Sequence, residues 1–417
     1  MSSRASTSSR RAFLSGAAAA SAYFWIPKPV KGYTTAEMLA MTAVDNKVSP
    51  GISKWDLDTP ALCVDLDKME RNVAKMQATM KANGIASRPH SKTHKCAAIA
   101  RYQIATGSIG ICCAKISEAE AMFEHGVEKI MMTTSNPAPS KIHRAMNIRK
   151  FNPQFIQAVD QEENARNLSA AAKEAGVVAD VVIDVAVGTR SGIPPGEGAV
   201  ALAKVVDKLP NLKLRGVLSY DGGVQHAKGF DARKERALKT IQPNVETLEM
   251  MKRAGLNTEI FSGGGTGTYN IQHLTPGFTD VQVGSYIFMD MQYLAIGSQT
   301  DANVYNDFEP SLTVLVTILN DRFPGRLTAD GGSKAFTLNK PNAGVIGEPN
   351  MDYNAGSDEF GSITFKEPLN KTYKIGDKLE CIVPHCDPVV NEYDWIYGTR
   401  KDKVEVVWPI TGRGHSQ

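Results

Sequence analysis

The 417-residue chain is 42% hydrophobic and 22% charged, the balance of a soluble globular protein with room for one large domain and a smaller one. Its 47 basic and 44 acidic residues leave a net charge of +3, so nothing in the charge points to a nucleic acid or an anionic surface as partner. Six cysteines without a C-x-x-C pair exclude a zinc ribbon and a thioredoxin-type motif, and buried or free thiols are expected instead.

Residues 1–42 have a texture of their own. Ser8-Ser-Arg-Arg-Ala-Phe-Leu14 holds the pair Arg10 and Arg11, a moderately apolar run reaches Ile26, and no acid appears before Glu37. This is the pattern of a twin-arginine export signal, which moves folded proteins, and it predicts a periplasmic destination reached through the twin-arginine machinery. Cleavage near Ala20-Ser-Ala22, cleavage before Ala43, and an uncut leader acting as an anchor all remain open. Arg4, Arg10, Arg11, Lys28 and Lys31 fall in its first 32 residues, which hold no acid, and without those 32 the balance becomes about −2.

From Asp56 to about residue 300, apolar runs alternate with helical spacing. Ala61–Asp65 reads as a strand and Leu66–Asn83 as an amphipathic helix stopped by Gly84. Further strands are expected at 109–113, 129–133, 155–159, 181–185, 214–219, 259–262 and 280–283, with helices at 117–125, 161–175, 195–208 and 232–254. Roughly eight units, with one helix and the last strand weakly marked, predict a parallel sheet closed into a (β/α)8 TIM-type barrel over 56–300. Beyond residue 301, short runs at 314–319, 326–329, 363–365, 378–383, 393–398 and 404–408 lie between Gly, Pro, Asn and Asp turns. They predict a C-terminal, mostly antiparallel β domain over 301–417.

In a barrel, reactive groups gather at the C-terminal ends of the strands. Arg88-Pro-His-Ser-Lys-Thr-His-Lys95 is a dense basic cluster whose lysines suit a Schiff base, because a partly dry cationic pocket pulls an amine's pKa down. A solvated basic loop with phosphate affinity is the equal alternative. Arg190, within Gly188-Thr-Arg-Ser-Gly192, could reach a phenolate or carboxylate bidentately or be a plain loop arginine. Ser262-Gly-Gly-Gly-Thr-Gly-Thr268 could turn its amides on a phosphate, and Val283-Gly-Ser-Tyr286 could add another amide and a hydroxyl. In Pro384-His-Cys-Asp-Pro388, His385 and Asp387 are two apart, so an extended segment would point both to one side, where they could share a metal. Such a pair is more often structural, and Cys386 would point away.

Taken in order, these segments resemble the D-threonine aldolase / 3-hydroxy-D-aspartate aldolase family, which is D-serine dehydratase-like and shares the alanine racemase fold of pyridoxal-phosphate enzymes. The likeness runs from Asp58-Thr-Pro-Ala-Leu62 through Gly284-Ser-Tyr-x-Phe-Met-Asp290, His385-Cys-Asp-Pro with Asp394-Trp395, and Val407-Trp-Pro409. It implies pyridoxal 5'-phosphate on Lys92, with Lys95 as the runner-up. Arg190 would sit at the ring phenolate and Tyr220 nearby. Ser262, Gly264, Gly265, Thr266, Gly284 and Ser285 would surround the phosphate. A divalent metal, Mg2+ or Mn2+, would sit on His385 and Asp387. The dehydratase branch has His-x-Cys where this chain has His385-x-Asp387, which favours the aldolase. A homodimer is also implied.

The reaction this implies is retro-aldol cleavage of a D-β-hydroxy amino acid to glycine and an aldehyde. His226 is the candidate base, with Tyr220 or metal-bound hydroxide as alternatives, and His90 and His94 line the pocket or pack. The rival on the same scaffold is a D-serine or D-threo-3-hydroxyaspartate dehydratase giving a keto acid and ammonia. A racemase has no use for the metal pair, a non-catalytic pyridoxal-phosphate carrier none for residues 301–417, and a metal hydrolase none for Lys92.

Overall fold

In the computed structural model, residues 32–43, 45–48 and 51–417 are described. The twin-arginine segment therefore lies outside the described residues. Eight parallel strands form one sheet: β2 (Ala86–Ser87), β3 (Ile111–Cys113), β4 (Ile130–Met132), β5 (Ile156–Val159), β6 (Ala179–Asp184), β7 (Leu212–Ser219), β8 (Ile260–Gly263) and β9 (Asp280–Val281), all following a first strand β1 (Ala61–Asp65). Their order is β2-β9-β8-β7-β6-β5-β4-β3. The ring closes where the chain leaving β2 meets β3: Ile109 N donates to Ser87 O at 3.0 Å, Cys112 N donates to Pro89 O at 2.7 Å, and His90 bridges Cys112 in parallel. The expected barrel is present.

Its interior is filled from alternate positions: Cys112, Met131, Ile156, Ala158, Val182, Leu218 and Ile260 form one buried cluster. Outside the ring lie α1 (Thr35–Ala40), well apart on the second sheet, then α2 (Leu66–Asn83), α3 (Ala97–Ala105), α4 (Ile116–Glu124), α5 (Pro139–Phe151), α6 (Glu162–Ala175), α7 (Glu197–Lys208) and α8 (Phe230–Arg253). In α2 the stripe Leu66, Met69, Val73, Met76 and Met80 is buried, Asp65 caps Lys68 N, and Gly84 ends the helix at φ 66°. The α3 and α5 helices were not anticipated. Each carries a weak apolar stripe, so helical periodicity is hard to see there.

The second sheet contains β10 (Leu312–Asn320), β11 (Arg326–Ala329), β12 (Gly344–Val345), β13 (Met351–Asn354), β14 (Gly361–Phe365), β15 (Lys378–Ile382), β16 (Trp395–Arg400) and β17 (Lys403–Pro409). It also contains β1, which corrects the expectation that Ala61–Asp65 opens the barrel. β1 runs antiparallel to β10 (Leu62 opposite Val314) and parallel to β16 (Val64 opposite Gly398). A five-residue run buried on both faces looks the same in either sheet. The barrel position is filled by β2, two residues with no apolar run to reveal them. The described residues before β1 also pack on this sheet, where Lys54 Nζ pairs with Glu380 at 2.8 Å.

Because β1 lies between β10 and β16, a fragment of residues 301–417 has two opened edges in mid-sheet. Expressed alone, it is expected to show neither a cooperative thermal transition nor dispersed amide resonances, and a fragment that melts cooperatively would show β1 to be dispensable.

Candidate active site

A cavity of about 630 Å3 opens where the barrel strands end, and its wall includes Lys92, Arg190, Tyr220, His226, Gly265, Thr266, Gly284, Ser285, His385 and Asp387. Lys92 sits in a single helical turn, Ser91–Thr93, just past β2. The turn is anchored from behind, where Ser91 Oγ donates to Glu118 Oε1 at 2.6 Å. Lys92 Nζ lies 3.2 Å from Asp387 Oδ2. The expected depression of the lysine does not occur. The Asp387 carboxylate raises its pKa, and burial, which opposes this, is the lesser effect. For Asp387, burial favours the neutral acid, but Lys92 and His385 outweigh it and bring its pKa to about 2.

Lys95 is turned the other way. At φ 46° it donates to Asn391 Oδ1 at 3.1 Å and lies outside the cavity wall. His94 is likewise structural: its Nε2 meets Gln103 Oε1 at 3.2 Å and its Nδ1 accepts from Cys96 N at 3.0 Å. His90 does line the cavity, and burial holds its pKa well below the usual range.

The glycine loop divides. Gly265 and Thr266 face the cavity, but Ser262 and Gly264 stand behind its wall. Ser262 Oγ donates to Asp280 Oδ1 at 2.5 Å and accepts from Gln282 Nε2 at 3.0 Å. Gly264 is at φ 60°, where a Cβ would meet Gln272 at 2.7 Å. Tyr286 is also in the core: its hydroxyl accepts from Gln103 Nε2 and its amide donates to Thr266 Oγ1. The turns beginning at Thr266 and Ser285 each open with amides that have no intrahelical acceptor, and both face one end of the cavity. The guanidinium of exposed Arg190 lies 5.0 Å from the centre of the Tyr220 ring.

On the second sheet's side, β15 ends at Ile382 and α11 (Cys386–Val390) begins at the cavity, following two four-residue helices, α9 (Met291–Leu294) and α10 (Ser333–Phe336). His385 is extended, but Asp387 lies in the first turn of α11, so the strand-like spacing reasoning does not apply although both side chains reach the wall. His385 Nδ1 lies 2.9 Å from Asp290 Oδ2. Asp290, His385 and Cys386 form a close trio of potential ligands, but only His385 of the three lines the cavity. Cys386 is fully buried, and burial pushes its thiol pKa well up. Asp290 and the cavity-lining Tyr293 were missed as functional residues. The first stood only as the last letter of a motif, and no spacing joined it to His385, 95 positions away. The His226 ring stacks on Tyr293 at 4.4 Å and lies 6.5 Å from the His385 ring. Although the residue is exposed, partial desolvation at the cavity wall lowers its pKa.

Residues 64–292 match the family described as alanine racemase, N-terminal domain, and residues 311–399 match a serine dehydratase domain. The chain belongs to the alanine racemase N-terminal domain family. The 3-hydroxy-D-aspartate aldolase of Paracoccus denitrificans (strain Pd 1222) is 34% identical over 368 residues, 88% of this chain and 94% of that one. The D-threonine aldolase of Arthrobacter sp is 32% identical over 382 residues, 91% of this chain and 99% of that one. Among solved structures, the D-threonine aldolase of Filomicrobium marinum matches with a TM-score of 0.82 at 31% identity, covering 88% of this chain and 100% of that chain. These named relatives are carbon–carbon lyases.

The divided loop makes a prediction. Ser262→Ala removes two buried hydrogen bonds and should cost about 1–3 kcal/mol in chemical denaturation while leaving the affinity for pyridoxal phosphate, added as a phosphate-bearing probe, unchanged. Ser285→Ala should instead weaken that affinity in an absorbance titration. Equal losses of affinity would place Ser262 in the cavity wall.

Proposed function

We propose that this chain cleaves the Cα–Cβ bond of D-configured β-hydroxy amino acids, of the D-threonine or 3-hydroxy-D-aspartate type, to glycine and an aldehyde. One observation carries the reading: Lys92, the His385/Asp387 pair and the turns at Thr266 and Ser285 share a single cavity. The residues fit pyridoxal phosphate, with an amine at Lys92, Arg190 and Tyr220 on the same wall, and the first amides of the two turns, at Thr266 and Ser285, with the Ser285 hydroxyl for a phosphate. They also fit a hard divalent cation, Mg2+ or Mn2+. Asp387 is an ionised carboxylate, and the Asp290 contact occupies Nδ1 of His385, which leaves Nε2 for a ligand bond.

When bound, pyridoxal phosphate supplies a sink for the electrons left at Cα, and a divalent cation supplies a Lewis acid for the β-hydroxyl. The chain's own groups do the rest. Lys92 Nζ would hold the cofactor. His226, exposed on the cavity wall with its pKa lowered by partial desolvation there, accepts the β-hydroxyl proton. Tyr220 is a poorer base because burial raises its pKa and keeps the phenol protonated.

The dehydratase reading wants a thiolate beside His385. The only cysteine there, Cys386, is a buried thiol behind the wall, and Asp387 occupies the cavity position. The test is product analysis with D-threonine and 3-hydroxy-D-aspartate. Glycine and aldehyde without ammonia are expected, with turnover lost by several orders of magnitude in Lys92→Ala along with its borohydride-fixable cofactor. Ammonia with a keto acid would replace the aldolase by the dehydratase.

We also propose that Arg10 and Arg11 send the folded chain through the twin-arginine route. The support is the Ser8–Leu14 pattern and the need to load a cofactor before export. Replacing both arginines by lysine should leave the protein in the cytoplasmic fraction, and undiminished periplasmic protein would end this reading.

A further inference from the structure

Asp290 is completely buried, and its two oxygens serve three donors. Oδ1 accepts from Tyr293 N at 2.9 Å and so caps α9. Oδ2 takes two contacts, from Cys386 N at 3.0 Å and from His385 Nδ1 at 2.9 Å. Two backbone amides already donate to this carboxyl, and a carboxylate only accepts, so Nδ1 of the histidine is the third donor. The imidazole then carries a proton on Nδ1, which leaves Nε2 as the ring atom able to meet a cation.

A helix cap alone does not need this residue, since serine or asparagine serves as well. What those lack is a second, charged oxygen set against both an imidazole and the first amide of the helix that carries Asp387. We infer that Asp290 is the positioning residue of the cation pair. It fixes the tautomer and ring orientation of His385, and through Cys386 N it holds the start of α11 and with it Asp387. The inference rests on the proposed role of His385 and Asp387 as cation ligands.

The test uses the cofactor-loaded enzyme with Mn2+ as the probe, binding being read from the electron paramagnetic resonance signal of the free ion. Asp290→Asn keeps the volume and one acceptor. Its amide group, facing His385 Nδ1 or Cys386 N, offers a donor where an acceptor is needed, and against Nδ1 it drives the imidazole to the other tautomer. Mn2+ affinity should fall about 10- to 100-fold, with cofactor absorbance retained and kcat recovering at saturating Mn2+. His385→Ala is the reference. If His385→Ala weakens Mn2+ binding and Asp290→Asn does not, the positioning role is overturned and the proposed function stands. If neither variant changes it, the cation reading falls and takes this inference with it.

A second measurement does not depend on the variant folding. In wild-type enzyme labelled with 15N-histidine, the resonance lost in His385→Ala should show a protonated Nδ1 throughout a Mg2+ titration, with the shift confined to Nε2. Loss of the Nδ1 proton on adding Mg2+ would overturn the assignment.

Discussion

The cavity depends on one junction between two sheets that share no strand. The segment leaving β9 lies against the segment leaving β15, joined where Met291 N donates to Val383 O at 3.0 Å and Gln292 N donates to Pro384 O at 3.2 Å. The amides at Gly284 and Ser285 lie a few residues before this seam on the barrel side, and His385 and Asp387 lie just past it on the other. Both flanks are rigid: β15 is hydrogen-bonded along β10 and β12, and β9 along β2 and β8. A slide of about an ångström between them would misplace the cation pair relative to Lys92, a displacement that can cost on the order of 100-fold in rate. Groups supplied by two sheets can work together only if the seam leaves no such freedom.

Electrostatics inside the cavity follow from the same meeting. A basic cluster read alone predicts a lysine whose pKa is depressed by its neighbours and by dryness. The second sheet changes the sign by bringing Asp387 to 3.2 Å from Lys92. Both side chains are partly withdrawn from water, and each charge relieves the other. Residues 92 and 387 follow strands of different sheets, so no reading of the Arg88–Lys95 segment by itself could have found the partner.

This marks what was legible in the chain. The alternation of strand and helix from β3 to β8 showed in the sequence because, β7's first half apart, each strand is a run buried on both faces, as a parallel sheet demands. Lys92, Arg190, His385 and Asp387 could be read because each stands in a short polar segment beside a strand end. Three things were hidden. β2 has two residues, too few for a pattern. The membership of β1 is a matter of pairing, which local periodicity does not encode. The roles of Asp290 and Ser262 depend on what faces them, His385 for one and Asp280 for the other, across distances in sequence that spacing rules do not span.

The glycine loop shows the same limit from the other direction, since a phosphate motif and a packing motif look alike. A Cβ on Gly263 would stand 1.9 Å from Ser219 O, and one on Gly267 2.1 Å from Gln225 O, so these two glycines are required by close approach of the β7 end and the loop beyond it. That approach is held by Gly267 N donating to Gln225 Oε1 at 3.0 Å and by the buried guanidinium of Arg233, which donates to Gly267 O at 2.7 Å and Ala227 O at 2.8 Å. Gln225 and Ala227 flank His226. The packing that forbids side chains at Gly263 and Gly267 therefore also sets where the imidazole stands. The turn at Thr266 and the candidate base are placed by one set of contacts, and a change that loosens the loop moves both.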